Sequence, residues 1–134
     1  MENCIFCKII KGEIPCHKIY EDDKTLAFLD IANDIYGHTL VIPKNHCRNL
    51  LDASAEDMKA VMQTVQKIGM HYIENCEFDG FNVLNANEPA AEQSVFHLHM
   101  HILPRDVNDG KQIYPKLEKL DESLYNICEK LKID

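Results

Sequence analysis

The run Phe96-His97-Leu98-His99-Met100-His101-Ile102-Leu103 places three imidazoles at alternate positions. Successive side chains of a strand point to opposite faces. His97, His99 and His101 would therefore share one face at intervals of about 6.6 Å, with Phe96, Leu98, Met100 and Ile102 turned to the core. Buried imidazole nitrogens need hydrogen-bond partners, so three in a row are costly for packing alone. Two chemistries use such a row. Imidazoles at i and i+2 can share a zinc ion. A neutral imidazole is also a nucleophile at neutral pH, and a protonated one donates to phosphate oxygens. Just before the run, Gln93-Ser94-Val95 offers a hydroxyl and backbone N–H groups, which suit an anion.

A second pair is Cys4 and Cys7, spaced Cys-x-x-Cys. A thioredoxin-type site would follow a strand of a βαβ unit, and no strand pattern precedes Cys4. A structural zinc would need two further ligands. The remaining cysteines, Cys16, Cys47, Cys76 and Cys128, are isolated and are expected as small buried hydrophobes.

These residues must be positioned by a small set of elements. Ile5, Phe6, Ile9 and Ile10 suggest a short helix from Cys4 to Lys11, stopped by Gly12 and Pro15. Lys18–Glu21 and Thr25–Leu29 read as a hairpin turning at Asp22-Asp23, and Thr39–Ile42 as a third strand ended by Pro43. Ser54, with Asp57 three positions on, caps a helical pattern running through Met58, Val61, Val65, Ile68 and Tyr72 to Cys76. That helix would be about 34 Å long. Phe81–Asn85 is a fourth strand and Val95–Leu103 a fifth. A last amphipathic helix, carrying Leu120, Leu124, Ile127, Cys128 and Leu131, is expected within a tail of about 117–133. The pattern predicts an α+β fold: a five-stranded antiparallel sheet, one long helix, and short N-terminal and C-terminal helices.

The chain has 134 residues, a length expected to make one domain, 1–134. Its hydrophobic and charged fractions, 46% and 27%, exclude disordered and collagen-like readings. The formal charge of −8 argues against a nucleic-acid partner, which needs a basic surface, but leaves room for one small anion held by local donors. No apolar run is long enough to span a membrane, and the first residues carry no secretory pattern. Six cysteines without such a pattern suit the reducing cytoplasm.

The histidine run, preceded by Gln93-Ser94-Val95-Phe96, resembles the signature of the histidine-triad (HIT) superfamily. Further blocks agree: Cys4 to Ile10, Glu13-Ile14-Pro15, Phe28-Leu29-Asp30-Ile31, Gly37 to His46 and Gly80-Phe81-Asn82. The likeness covers about residues 4–105 and is strongest to the HINT-like, bacterial-type branch.

The resemblance implies an enzyme, a nucleotide phosphoramidase or nucleotidyl hydrolase acting at the α-phosphate of purine nucleotides. Adenosine phosphoramidates and dinucleoside polyphosphates are the substrate types. His99 would be the nucleophile, forming a nucleotidyl-histidine, with His101 donating to phosphate and His38 and Ser94 completing the catalytic set. Asp30-Ile31 would hold the ribose, Ile5, Phe6, Phe28 and Leu40 the base, and Asn85, Gln93 and Ser94 the phosphate end. Asn87 would be a second polar contact. The family's structural zinc would fall on Cys4, Cys7, His46 and His97, with no metal needed for catalysis. A homodimer through the long helix and fourth strand is also implied. Two departures stand out: Glu92 and Asn87-Glu88-Pro89 occupy positions where many relatives have glycine or Asn-Gly-Glu. Their charges favour a rival reading, a nucleotide- and zinc-binding regulatory module with little turnover.

Overall fold

The computed structural model describes residues 3–134. Five strands form one antiparallel sheet: β1 (Lys18–Glu21), β2 (Thr25–Leu29), β3 (Thr39–Pro43), β4 (Gly80–Leu84) and β5 (Met100–Arg105), in spatial order β1-β2-β3-β5-β4. The helices are α1 (Ile5–Ile10), α2 (Ala55–Cys76) and α3 (Leu124–Leu131).

Alternation along the strands assigns the two faces of the sheet. Ala27, Val41, Met100 and Ile102 face α2 and meet Val61, Val65, Ile68 and Tyr72. Leu26, Phe28, Leu40 and Ile42 face the other way and pack with Phe6 of α1. Hydroxyls tie α2 to the sheet inside this core: Thr25 with Thr64 at 2.7 Å, Thr39 with Tyr72 at 2.6 Å. Ser54 Oγ accepts from the Asp57 N–H at 3.0 Å and starts α2 as the sequence predicts. The hairpin turn is held by Asp22, whose Oδ1 accepts from the backbone of Lys24 and Thr25.

Four sequence expectations are corrected. The fifth strand begins at Met100, not Val95: its ladder starts with Val41 of β3 opposite Met100 and Leu84 of β4 opposite His101, although β3 itself runs on to Pro43. Ahead of it the Leu98 N–H donates to the Cys47 carbonyl at 2.9 Å instead of joining a ladder. Phe96 leaves the core, stays 41% exposed and lies under the Arg48 guanidinium, 4.1 Å from the ring centroid. The tail is helical only over Leu124–Leu131, where Ser123 caps the first turn and Leu120 lies outside it. Of the isolated cysteines only Cys47 is buried, Cys16 is partly so, and Cys76 and Cys128 are exposed.

Candidate functional site

The sheet face opposite α2 carries a cavity of about 420 Å³. Its walls include Ile5, Phe6 and Ile9 of α1, Phe28 of β2 and Leu40 of β3. Asp30, Ile31, Ser94, His99 and His101 stand round the same space. Ile31 is 92% exposed and so forms rim rather than wall.

His99 is buried between Phe6, edge-on at 5.2 Å between ring centroids, and His101 at 5.0 Å. Its Nδ1–H donates to the carbonyl of His97 at 2.7 Å. That bond leaves the lone pair on Nε2. Burial lowers the pKa of His99, which keeps the ring neutral. Asn85 donates to the His99 carbonyl at 3.0 Å, and so fixes the backbone that carries the ring.

His101 Nδ1 faces His38 Nε2 at 2.8 Å, and His38 Nδ1 donates to Asp34 Oδ1 at 2.8 Å. A line of proton carriers therefore runs Asp34–His38–His101. Burial and the neighbouring histidines push His101 down to about 4. Asp30 closes the group: its Oδ2 lies 3.6 Å from His38 Nε2, and its Oδ1 accepts from the Ala32 N–H. Beyond His101 and His38 lies a second, more open space of about 440 Å³ bordered by Asp34, Leu84, Asn85 and Glu92.

Gln93 does not reach the cavity. It is buried, its amide nitrogen donates to the Arg48 and Val95 carbonyls, and its oxygen accepts from Asn49 and from the Glu88 N–H. A side chain so occupied has no group left for a phosphate. Asn87 is likewise engaged with Asn85 and the Leu50 N–H. Both residues shape the loop that carries Ser94. Glu88 faces Arg48 and Asn49, 2.7 and 2.6 Å away. Glu92 is exposed and has a left-handed backbone, φ 68°.

The three triad rings do not converge. His97 is fully buried, its Nε2–H donates to the Pro43 carbonyl at 2.9 Å, and Nδ1 turns away from His99. That nitrogen meets Cys4 Sγ at 3.3 Å, Cys7 Sγ at 3.6 Å and His46 Nδ1 at 3.2 Å. Cys7 Sγ also lies 3.3 Å from His46 Nδ1. Two sulfurs and two ring nitrogens thus meet round one centre, spaced as a tetrahedral zinc requires. The Pro43 carbonyl supplies the outer hydrogen bond that sets the His97 tautomer for a metal. Burial and the adjacent Cys4 raise the Cys7 thiol, which a bound cation would reverse.

Sequence reasoning missed Asp34, although a carboxylate four residues before His38 was there to be noticed. It also missed Cys16, His17 and Val95 on the cavity wall.

Comparison with known proteins follows the same lines. The family model described as "HIT domain" matches residues 11–108. The Bacillus subtilis protein named hit is 53% identical over 104 residues, covering 78% of this chain and 72% of its own. The adenosine 5'-monophosphoramidase of Schizosaccharomyces pombe is 43% identical over 103 residues, covering 77% and 74%. The crystal structure of a zinc-bound histidine triad family protein from Mycobacterium smegmatis superposes with a TM-score of 0.78 at 36% identity, covering 87% and 85%.

Proposed function

The chain belongs to the HIT family, and from that premise we propose that it is a phosphoramidase or nucleotidyl hydrolase acting at the α-phosphate of purine nucleotides. The observation that carries this reading is the His99 ring. One nitrogen is held by the His97 carbonyl, and the other is a free lone pair in a ring lining an apolar cavity. The phosphoramidase named among the relatives supports the substrate class.

In this mechanism the base slides between Ile5, Phe6, Phe28 and Leu40, and Asp30 accepts from the ribose hydroxyls. His99 Nε2 attacks phosphorus in line, the P–N or P–O bond breaks, and its electron pair leaves with the amine or phosphate. The incoming phosphate charge favours a proton on the His38–His101 pair, held by the Asp34 carboxylate. His38 Nε2–H then donates to His101 Nδ1, and His101 Nε2–H becomes a donor to the phosphate oxygen. The same relay, with Ser94 at the rim, gives the leaving group its proton. Water next attacks the nucleotidyl-histidine, the P–Nε2 bond breaks, and the nucleoside monophosphate departs.

Cys4, Cys7, His46 and His97 would hold a structural zinc, supported by the fit of their donors and by the zinc-bound relative. It would clip α1 to the triad segment and take no part in bond breaking.

We also place a two-fold dimer at β4, which ends the sheet with one side unpaired, and at the neighbouring Met62 and Ile73 of α2, both over 40% exposed. Sedimentation at several concentrations tests it.

A fluorogenic adenosine phosphoramidate, assayed with and without chelator, tests the main reading. Turnover indifferent to chelator is expected. Loss restored by zinc would indicate a metal hydrolase, and nucleotide binding without turnover would indicate the regulatory module.

A further inference from the structure

We propose that Asp30, His38 and His101 form a second metal site, distinct from the cysteine cluster, that takes a divalent transition-metal ion and excludes nucleotide while occupied. One donor atom from each residue lies within 4.8 Å of the others. His38 Nε2 is 2.8 Å from His101 Nδ1 and 3.6 Å from Asp30 Oδ2.

The three donors are built into the sheet rather than assembled on a loop. Asp30 follows directly on β2, His38 directly precedes β3, and His101 lies in β5. These strands are neighbours in the order β2-β3-β5. The Asp30 N–H donates to the His38 carbonyl at 2.9 Å, which locks two of the three backbones together. Such donors reach an ion with little reorganisation.

Outer contacts orient the ligands as metal sites require. Asp34 Oδ1 accepts from His38 Nδ1, so a neutral His38 points its lone pair at the centre. Asp30 Oδ1 accepts from the Ala32 N–H, which leaves Oδ2 for an ion. Donors on a tetrahedral ion about 2.1 Å away sit roughly 3.4 Å apart, so the two imidazoles need to part by only about 0.6 Å. The ion would replace the single proton now shared between the two facing nitrogens.

Two imidazoles and one carboxylate suit zinc, cobalt, nickel or copper, and suit magnesium or calcium poorly. Three protein ligands leave a position open toward the cavity. Overlap with nucleotide rests on the proposed function, which uses Asp30 for ribose and His101 for phosphate. Binding of the ion itself does not.

The test is titration with Co2+ of protein that holds one equivalent of zinc per chain, enough for the cysteine cluster alone. A nitrogen–oxygen site gives weak visible d–d bands without the intense thiolate charge-transfer of a cysteine site. One equivalent per chain is expected, with affinity rising from Co2+ to Cu2+ and Mg2+ failing to compete. Asp34→Asn, at an exposed residue that is not itself a ligand, should weaken Co2+ about tenfold or more with unchanged melting. His101→Ala should abolish the bands. Adenosine monophosphate should raise the apparent Co2+ dissociation constant in proportion to its concentration. Only thiolate bands, no bands at all, bands indifferent to His101→Ala, or Co2+ affinity unmoved by a nucleotide that calorimetry shows to bind would each overturn the proposal. Calorimetry showing no nucleotide binding to the metal-poor protein would instead remove the proposed function, while the His101-dependent bands would still stand for the metal site.

Discussion

The carbonyl of His97 lies 2.7 Å from Nδ1 of His99, while the ring of His97 points the other way, into two thiols. One residue thus ties the nitrogen chemistry of the cavity to the sulfur cluster behind it. Its backbone sets the tautomer of the proposed nucleophile, and its side chain anchors that backbone.

His99→Ala should abolish turnover while sparing the fold and nucleoside monophosphate binding. Residual activity above about a tenth would refute the nucleophile, since one decade is only ~1.4 kcal/mol of barrier. Steady-state rates with binding calorimetry decide it.

Cys4→Ser combined with Cys7→Ser should release one zinc per chain and lower the melting temperature, slowing catalysis only modestly. Metal analysis of protein purified without chelator checks the first part. Full loss of turnover in a folded variant would point to a catalytic metal.

Glu92→Gly should stabilise the protein by about 0.5–1 kcal/mol, because glycine adopts the left-handed backbone without a Cβ penalty. Its carboxylate is exposed, so nucleotide affinity at low salt should rise less than about tenfold. Glu88 also has a positive φ, 77°, yet Glu88→Gly should give no such gain. It deletes the partner of Arg48 and Asn49. Urea denaturation of both variants separates the cases.

Acid should destabilise the protein before its carboxylates titrate. His101 ionises at about 4 in the fold against 6.5 as an ordinary histidine. Between those values the unfolded chain binds more protons, so stability falls as pH drops from about 6.5 toward 4. The loss should be about 1 kcal/mol near pH 5.5, or roughly 3–5 °C. Stability that stays flat or rises from pH 7 to 5 would contradict the buried neutral ring.

Gly69→Ala should cost about 1–3 kcal/mol despite a helix-propensity gain of about 1. A methyl there would lie 2.3 Å from Phe81 Cζ, and the ring has to leave β4's contact with α2. Denaturant midpoints test this, and a stabilised variant would show that Phe81 repacks freely.

Periodicity made α2 legible, because it buries one face against the sheet; β1 and β2 were legible from their short runs on either side of the Asp22-Asp23 turn, although β2 is buried on both faces. It misled at Val95–His99, where apolar alternation continues although the chain pairs with no strand. There Leu98 is buried by a bond to the Cys47 loop, and Phe96 is drawn out to Arg48. His99, His101 and Asp30 stood out by residue type and by likeness. Gln93 stood out equally, yet its amide serves Arg48, Asn49, Glu88 and Val95, which sit far apart in sequence. Nothing local announces such a network. Asp34 reaches His38 across one turn of irregular chain, which no helix or strand period describes.

Cys4 carries a last consequence. Its sulfur accepts the Cys7 N–H and so begins α1, the helix whose Ile5, Phe6 and Ile9 wall the cavity. Chemistry at this one atom, whether alkylation, oxidation or protonation, reaches the first turn of α1 as directly as it reaches the His97 ring. The shape of the cavity thereby becomes a reporter of thiol state, and a thiol-modifying reagent should be sensed as a change in purine affinity even though Cys4 is not among the residues that line the cavity.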